Sequence, residues 1–477
     1  MAFNDVREFI AALAKHGELQ VIKKEVDWNL EAGAIMRRCN ETKAPAQLFE
    51  KIKDYPGHQI FGGPLATHRR LAIAMEMDPD ATYEEIIAEF TNRQMNPIKP
   101  VLVSTGPCKE NILLGDDVDL TMFPAPMVHG GDGGRFIGTW NVGVCKDPDS
   151  SWVNWGTYRL MIHDRNSTGI FIIPHQHIGM IYSKYEKMNK SMPYTAFIGV
   201  EPISNLIGAT GIHAGINEVD VVGGLRREPV RLVKCETNDL MVPDTAEIVL
   251  EGEILPHTRK DEGPFGEYAG YQISGVVARP VFKVNAVTYR NNPIMAVSCI
   301  GTPVDDSHIV ISMGMATDFK KALLDGGYPI TGIYLPPESA YHVVIVATET
   351  PYPYIANRIA ACIWAQKTGY AIPRIIVVNS DVDPTNMAMV GHALATKCHP
   401  VKGTTTIERL PTSPITGFLS HEERSMGFGC GVVYDCTWPL DWAPEHIPPR
   451  SSFNDIYPEE IKKRVLSNWE DYGFKKK

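Results

Sequence analysis

Between residues 108 and 300 the chain runs as short β-rich stretches separated by turn residues, and this spacing constrains the fold more than any other feature. The stretches are 152–162, 169–173, 195–200, 230–235, 246–250, 281–287 and 294–299, each rich in β-branched or aromatic residues. Parallel partners need a crossover of a dozen residues or more, so strands this closely spaced are expected to pair antiparallel, as a barrel or sandwich. Asp164-Arg165-Asn166-Ser167-Thr168-Gly169 reads as one hairpin turn and Arg290-Asn291-Asn292-Pro293 as another. One helix, about 177–187, is expected to interrupt the strands.

The flanks have a different texture. Asn4 or Asp5 can cap an opening helix whose Val6, Phe9, Ile10 and Leu13 recur at helical spacing and which Gly17 can close. Short apolar runs at 59–61 and 71–74 and a charged helix at 83–92 complete a small N-terminal α/β domain. After residue 300 the alternation lengthens into strand 342–347, helix 355–367, strand 374–379, helix 386–397 and strand 404–408, an order that calls for a parallel sheet covered by helices. A Pro-rich linker, 438–450, leads to a tail helix with Pro458 at its first position and Ile461, Val465, Leu466 and Trp469 at helical spacing, apolar enough to pack on another domain or subunit. The expected units are therefore 1–107, 108–300, 301–450 and the oligomerisation helix 451–477, in keeping with roughly 150 residues per domain in a chain of 477.

Composition narrows the class. Lys plus Arg number 46 against 56 Asp plus Glu, a formal charge of −10, so the chain lacks the basic footprint of a nucleic-acid-binding protein. No stretch reaches the roughly 18 uncharged apolar residues of a membrane helix, and the acidic start Met1-Ala2-Phe3-Asn4-Asp5 is unlike a signal peptide. Nine cysteines, odd in number and without a C-x-x-C pair, suit a reducing compartment, and the expected location is cytoplasmic, with no structural zinc and no disulfide framework.

Several catalytic motifs are absent. There is no G-x-x-x-x-G-K-[ST], G-x-S-x-G or H-E-x-x-H, and neither Gly130-Gly131-Asp132-Gly133-Gly134 nor Gly427-Phe428-Gly429-Cys430-Gly431 fits G-x-G-x-x-G. Three clusters in the β-rich region can carry chemistry. Asn154-Trp155-Gly156-Thr157-Tyr158-Arg159 is a packing segment or a polar site. Pro174-His175-Gln176-His177 lies where a strand hands over to a helix N-terminus, a place for an anion or a metal-ligating imidazole, and equally for a cap and core histidines. Glu262 and Glu267 share a Gly/Pro-bent loop, either a solvated acidic turn or an acid/base pair in which like charge and a nearby arginine push the two carboxyls apart in pKa.

In order along the chain, Asn154 and Arg159, then Gln176-His177, then Glu218 in Asn217-Glu218-Val219-Asp220-Val221-Val222-Gly223-Gly224-Leu225, then Glu262-Gly263-Pro264-Phe265-Gly266-Glu267-Tyr268, this sequence resembles the UbiD family of prenylated-flavin-dependent decarboxylases. Tyr289-Arg290-Asn291-Asn292-Pro293-Ile294 and Asp381-Val382-Asp383-Pro384 extend the match to nearly the whole chain. The resemblance implies a multidomain α/β fold whose central antiparallel split β-barrel binds prenylated FMN. It implies reversible non-oxidative decarboxylation of an aromatic or heteroaromatic acid, of hydroxybenzoate, furan-, pyrrole- or indole-carboxylate type, through a covalent adduct with the cofactor. Asn154, His177 and Glu218 are then the ligands of Mn2+ or Mg2+, with K+ held by main-chain oxygens around Trp155 and Gly208-Ala209-Thr210. The cofactor is expected against Asn154, Thr157, Tyr158, Arg159, Gln176, His177, Ala209, Thr210 and Glu218. Glu267 is implied as proton donor, Arg159 as the guide of the substrate carboxylate and Glu262 as the holder of the arginine.

The family lysine four residues before the aspartate of the D-x-T motif, here Asp435-Cys436-Thr437, is Gly431, leaving Arg424 or Lys402 to neutralise the cofactor phosphate. That departure keeps open a catalytically silent subunit or binding protein of a carboxylase complex, and fold analogy alone keeps open a flavin reductase. Asp306 and His308 are candidates for substrate contact or for the cap of the next helix, and Asp381 and Asp383 are expected to form a turn. Expected partners are the acid, CO2, a flavin prenyltransferase as cofactor supplier and further copies of the chain as a homodimer or homohexamer.

Overall fold

In the computed structural model, which describes residues 2–273 and 275–475, the β-rich segment forms one large antiparallel sheet. Met1 and the last two residues of the expected tail unit lie outside the described residues. Eight strands follow the path Phe136–Gly138, Leu160–Asp164, Ser167–Ile170, Val277–Tyr289, Ile248–Glu262, Met192–Ile198, Asn141–Lys146 and Val153–Gly156, and Asn111–Leu114 pairs with Val277–Tyr289 off that path. The first and seventh strands of the path are consecutive in the chain, joined only by Thr139 and Trp140. In a flat sheet they would lie about 29 Å apart at about 4.8 Å per step, whereas the link spans at most about 11 Å. The sheet must therefore curl back on itself, as a half-barrel. Bulges in its longest hairpin help it do so, and at one of them residue 252 has to be glycine, since a Cβ there would lie 1.9 Å from the Lys283 carbonyl oxygen.

Two stretches expected in the barrel belong elsewhere. Residues 230–235 supply Arg231–Lys234 to a separate three-stranded sheet with Met241–Pro243 and Val101–Val103. Ile294–Val297 pairs in parallel with Gln59–Gly62, the third strand of the N-terminal sheet after Leu19–Ile22 and Ala46–Phe49. Arg290-Asn291-Asn292-Pro293 is thus the exit from the barrel and not a hairpin turn. Glu247 holds this exit, accepting from Arg7 at 2.8 Å and from the Ile294 N–H at 3.0 Å. Three helices interrupt the barrel strands where one was expected: His177–Lys187, Pro202–Gly208 and Glu218–Arg226. The stretch 152–162 is two strands, and the break between them carries Thr157, Tyr158 and Arg159.

The opening helix Val6–Lys15 is capped by Asp5 and buries Val6, Phe9, Ile10 and Leu13, as its periodicity predicts. In the C-terminal domain the sheet order is Ile330–Tyr334, Val343–Thr348, Arg374–Asn379, Phe428–Cys436, Thr404–Pro411. Its three central strands are parallel and both edges antiparallel, so the expected all-parallel sheet is corrected to a mixed one. The strand 404–408 does not continue the parallel alternation; it pairs antiparallel with Phe428–Cys436, a strand the sequence did not reveal. The tail helix Glu459–Ser467, with Pro458 at its N-cap rather than inside it, buries no residue against this chain, and Leu466 is 58% exposed. All nine cysteines are free, and among the described residues no helix is long and apolar enough to cross a membrane.

Candidate active site

A cavity of about 320 Å³ lies between the half-barrel and the C-terminal domain. Barrel residues 138–140 and 154–159 form one wall, and Ser307, Tyr341, Lys367, Thr368 and Ser413–Ile415 form the opposite one. Interdomain clefts of this kind are where small-molecule sites concentrate.

At one end, three donor atoms converge. His177 opens the helix His177–Lys187, Glu218 opens Glu218–Arg226, and Asn154 sits on the strand Val153–Gly156. His177 Nδ1 lies 3.2 Å from Asn154 Oδ1 and 3.4 Å from Glu218 Oε1. Neighbouring oxygen and nitrogen ligands of a small divalent ion with bonds of about 2.1 Å stand about 3 Å apart, so the set fits such an ion. Among the described residues no three His, Cys, Asp or Glu side chains converge in this way; here the third ligand is an amide. Each donor is held from behind. Glu218 Oε2 accepts the Trp155 N–H at 2.9 Å, Asn154 Nδ2 donates to Tyr158 Oη at 3.1 Å, and the Trp152 ring edges onto His177.

Lys367 completes this end, its Nζ 2.7 Å from His177 Nε2. Partial desolvation of its ammonium draws the pKa below the ordinary lysine value, against the attraction of Glu218 and Asp318. Lys367 follows the helix Ile355–Trp364 as an isolated basic residue with no motif around it, so sequence reasoning had no signal for it. It also corrects the expectation attached to Gly431. That residue lies within the strand Phe428–Cys436, where a Cβ would meet Leu410 and Trp364 at 2.9 Å, and it does not line the cavity. Neither expected substitute reaches the cavity: Arg424 donates to the carbonyls of Thr416 and Gly417, and Lys402 is exposed. Thr157 and Thr368 both line the cavity with buried hydroxyls that have no protein partner. Unpartnered hydroxyls, one ammonium and a divalent-ion set are what a phosphorylated planar cofactor requires.

At the other end, Arg159 is shared by two carboxylates. Its Nε donates to Glu262 at 2.8 Å and its Nη1 to Glu267 by a short contact, while the guanidinium stacks 4.3 Å from the Phe171 ring centroid. Glu262 ends the strand Ile248–Glu262 and is fully buried behind the arginine; burial pushes its pKa up, and Arg159 and Arg279 oppose that. Glu267 lies in the following loop and faces the cavity. Asn154, Thr157, Tyr158, Arg159, Gln176, His177, Ala209, Thr210, Glu218 and Glu267 thus all line one cavity.

Asp306 and His308 do not line it, and their substrate-contact reading is corrected. Asp306 accepts from the Leu65 N–H at 2.6 Å and from Ser298 at 3.0 Å. His308 completes the capping box of the helix Asp306–Asp325 and donates Nε2–H to the Tyr268 carbonyl at 2.7 Å. Ser307, between them, faces the cavity instead. Asp383 caps the Thr385 turn, as expected, and Asp381 pairs with Lys397 and Arg450.

Models of the 3-octaprenyl-4-hydroxybenzoate carboxy-lyases match this chain in three consecutive parts: the N-terminal domain over residues 10–90, the Rift-related domain over 99–303 and the C-terminal domain over 312–436. The chain belongs to this family, UbiD. It is a UbiD carboxy-lyase, 34% identical to the pyrrole-2-carboxylic acid decarboxylase of Pseudomonas aeruginosa over 98% of both chains. To ferulic acid decarboxylase 1 of Saccharomyces cerevisiae it is 32% identical, over 99% of this chain and 98% of that one. Among solved structures, the vanillic acid decarboxylase of Sedimentibacter hydroxybenzoicus in closed form matches this UbiD chain with a TM-score of 0.87 over the whole of both chains at 27% identity. The UbiD-class enzyme HmfF of Pelotomaculum thermopropionicum in complex with FMN gives 0.84 at 26% identity, covering 98% of this chain and all of that one. An evolved dimeric form of HmfF in complex with prFMN gives 0.80 at 27%, covering 94% and 97%.

Proposed function

We propose that this carboxy-lyase removes CO2 from an aromatic or heteroaromatic acid, using prenylated FMN in the interdomain cavity, with Glu267 as proton donor. The observation that carries the reading is the placing of Arg159, between Glu262 and Glu267, in the same cavity as Asn154, His177, Glu218 and Lys367. The relatives named above support the substrate class, and the flavin complexes of HmfF support the cofactor.

Asn154, His177 and Glu218 would hold Mn2+ or Mg2+ against the cofactor phosphate, Lys367 would turn its Nζ from His177 Nε2 to that phosphate, and Thr157 and Thr368 would offer their free hydroxyls. K+ would sit by the main chain around Trp155 and Gly208-Ala209-Thr210. When bound, prenylated FMN supplies the sink for the electron pair that the breaking carbon–carboxylate bond leaves behind, which no side chain offers. Arg159 then anchors the substrate carboxylate, held in place by its contact with the Phe171 ring and its ionic hydrogen bond to buried Glu262. An arriving carboxylate competes with Glu267 for Nη1, and a proton on Glu267 relieves the crowding of negative charge. As the bond to CO2 breaks, that proton passes from the Glu267 carboxyl to the vacated carbon, and solvent restores it to the glutamate. The reverse reaction at high CO2 uses the same groups.

The silent-subunit reading rested on Gly431, and Lys367 removes that support. We further assign the exposed tail helix to assembly, as a homodimer or homohexamer, in line with the dimeric HmfF form. A flavin prenyltransferase would supply the cofactor.

The test is mass spectrometry and metal analysis of protein co-produced with a flavin prenyltransferase, followed by CO2 release from pyrrole-2-carboxylate, ferulate and vanillate. Prenylated FMN with manganese, and release by wild type but not by Glu267→Gln, is the expected result. Undiminished turnover by Glu267→Gln refutes the donor assignment.

A further inference from the structure

The run Gly130-Gly131-Asp132-Gly133-Gly134 matches no phosphate-binding motif, yet it is packed against the loop that carries Glu267. A Cβ at residue 133 would lie 1.9 Å from the Gly263 carbonyl oxygen, so the two backbones meet only because residue 133 is glycine, and the Gly133 N–H donates to the Pro264 carbonyl at 2.7 Å. Gly131, at φ +98°, makes the turn that sends the next side chain inward. That side chain is Asp132, 5% exposed. Its Oδ1 accepts from the Gly266 N–H at 3.0 Å and from the Gln272 side-chain amide at 3.2 Å. Its Oδ2 accepts from the His129 N–H at 3.0 Å and faces His129 Nδ1 at 3.1 Å.

His129 Nε2 in turn lies 3.7 Å from Cys299 Sγ. The order Cys, His, Asp is that of a thiol nucleophile and its base, but the chemistry does not follow. Burial pushes the Cys299 thiol up to about 12, and its S–H is directed at the Gly33 carbonyl, 3.5 Å away, so no thiolate forms. The line is a support that runs from the N-terminal domain through His129 and Asp132 to one peptide N–H, that of Gly266, immediately before Glu267. On the other side of Glu267, Tyr268 is held by the C-terminal domain, its carbonyl by His308 and its hydroxyl by Ser413 at 2.8 Å.

We propose that Asp132 is the positioning residue for Glu267: by accepting the Gly266 N–H it fixes the backbone from which the Glu267 carboxyl reaches Arg159. The proposal rests on the reading of Glu267 as proton donor. A carboxylate at 132 serves because it takes donors from both sides at once, from the barrel strand's approach at His129 and from the loop at Gly266 and Gln272.

The experiment compares Asp132→Ala, Asp132→Asn and Glu267→Gln in holoprotein carrying prenylated FMN, with pyrrole-2-carboxylate as the probe. Peptide-level hydrogen exchange is run on the same samples and needs no substrate. Asp132→Ala frees the Gly266 N–H; a displacement of Glu267 by about 1 Å is enough for a fall in kcat of about 100-fold, with KM and flavin content unchanged. Peptides spanning 262–268 should exchange about tenfold faster, with those of the helix His177–Lys187 unaltered. Asp132→Asn keeps an oxygen for Gly266 but sets an amide against the His129 N–H. It should lose Tm yet keep kcat within about threefold. Turnover that falls in step with Tm across the two variants, or unchanged exchange over 262–268 in Asp132→Ala, overturns the proposal. If Asp132→Ala does not fold, Asp132→Asn decides alone: kcat kept at a lowered Tm supports it, and kcat lost with Tm refutes it. Glu267→Gln separates the two claims. A fully active Glu267→Gln defeats the donor reading, whereas an inactive one beside a fully active Asp132→Ala with unchanged exchange defeats only the clamp.

Discussion

Arg159→Lys keeps the positive charge at the substrate end and removes its fork. In the structure the guanidinium serves Glu262 through Nε at 2.8 Å and Glu267 through Nη1, and its Cζ lies over the Phe171 ring, 4.3 Å from the centroid. A lysine ammonium is a point charge with no plane to stack, and it can serve one of the two carboxylates. The loss of one ionic hydrogen bond is worth about 1.5–3 kcal/mol, and loss of the stacked cation contact about 0.5–2 kcal/mol. Together these remove about 2–5 kcal/mol of orientation, and at 1.36 kcal/mol per decade the fall in kcat/KM is roughly 30-fold to several thousand-fold. The assay is CO2 release from pyrrole-2-carboxylate by holoenzyme, with flavin occupancy read from absorbance in the same cuvette. Occupancy should stay at the wild-type level, because the phosphate-end residues are untouched. Turnover within about threefold of wild type would show that the fork does not set the geometry. A fall in flavin that matches the fall in turnover would move Arg159 from substrate guidance to cofactor retention.

Lys367→Met should weaken retention of FMN about 10- to 100-fold in equilibrium dialysis, the worth of one charge-assisted contact; an unchanged Kd would release Lys367 from the phosphate. Burial pushes Asp318 up to about 7, so the folded chain holds a proton there that the unfolded chain has already lost, and stability falls as pH rises from about 4 to about 7. Asp318→Asn abolishes that slope, with a gain at pH 8 relative to pH 4 of at most about 4 kcal/mol; parallel Tm profiles for the two proteins would refute the burial argument. Leu466→Asp, on the exposed tail helix, should reduce the assembled mass seen by light scattering without loss of fold, and an unaltered mass would take the tail out of the interface.

How far the sequence spoke depended on whether the determining contacts were local. The helix His177–Lys187 was expected at its observed bounds, and the opening helix down to its cap and buried face, because caps and periodicity are local signals. The helix Glu218–Arg226 was missed because Gly223 and Gly224 sit inside it. Both are needed there, since a Cβ at either would lie within 2.6 Å of the Ile98 or Asn96 carbonyl oxygen, so a signal that locally means a turn is here a packing requirement. Ile294–Val297 was recognisable as a strand but not as a partner of Gln59–Gly62, because sheet membership is a property of distant residues. The site followed the same rule. Asn154, Arg159, His177, Glu218, Glu262 and Glu267 stand in motifs, and the fold brings all of them to one cavity except Glu262, which is buried behind Arg159. Lys367 and Asp132 stand in none that names their role, and only the packing of the C-terminal domain and of the glycine-rich run reveals them.

The two-residue link between Phe136–Gly138 and Asn141–Lys146 has a consequence for how the molecule comes together. Thr139 and Trp140 join the first strand of the eight-strand path to the seventh, close to its far end, and both also form part of the cavity wall. The pairings that bring those ends together include that of Ser167–Ile170 with Val277–Tyr289, distant in the chain and therefore of high loop-closure cost and slow to form. Closure of the half-barrel and completion of the cavity are therefore one folding event. A chain nicked or circularly permuted between residues 139 and 140 would release the curl and lose its binding wall together, and a ligand that fills the cavity acts as a latch on the whole sheet.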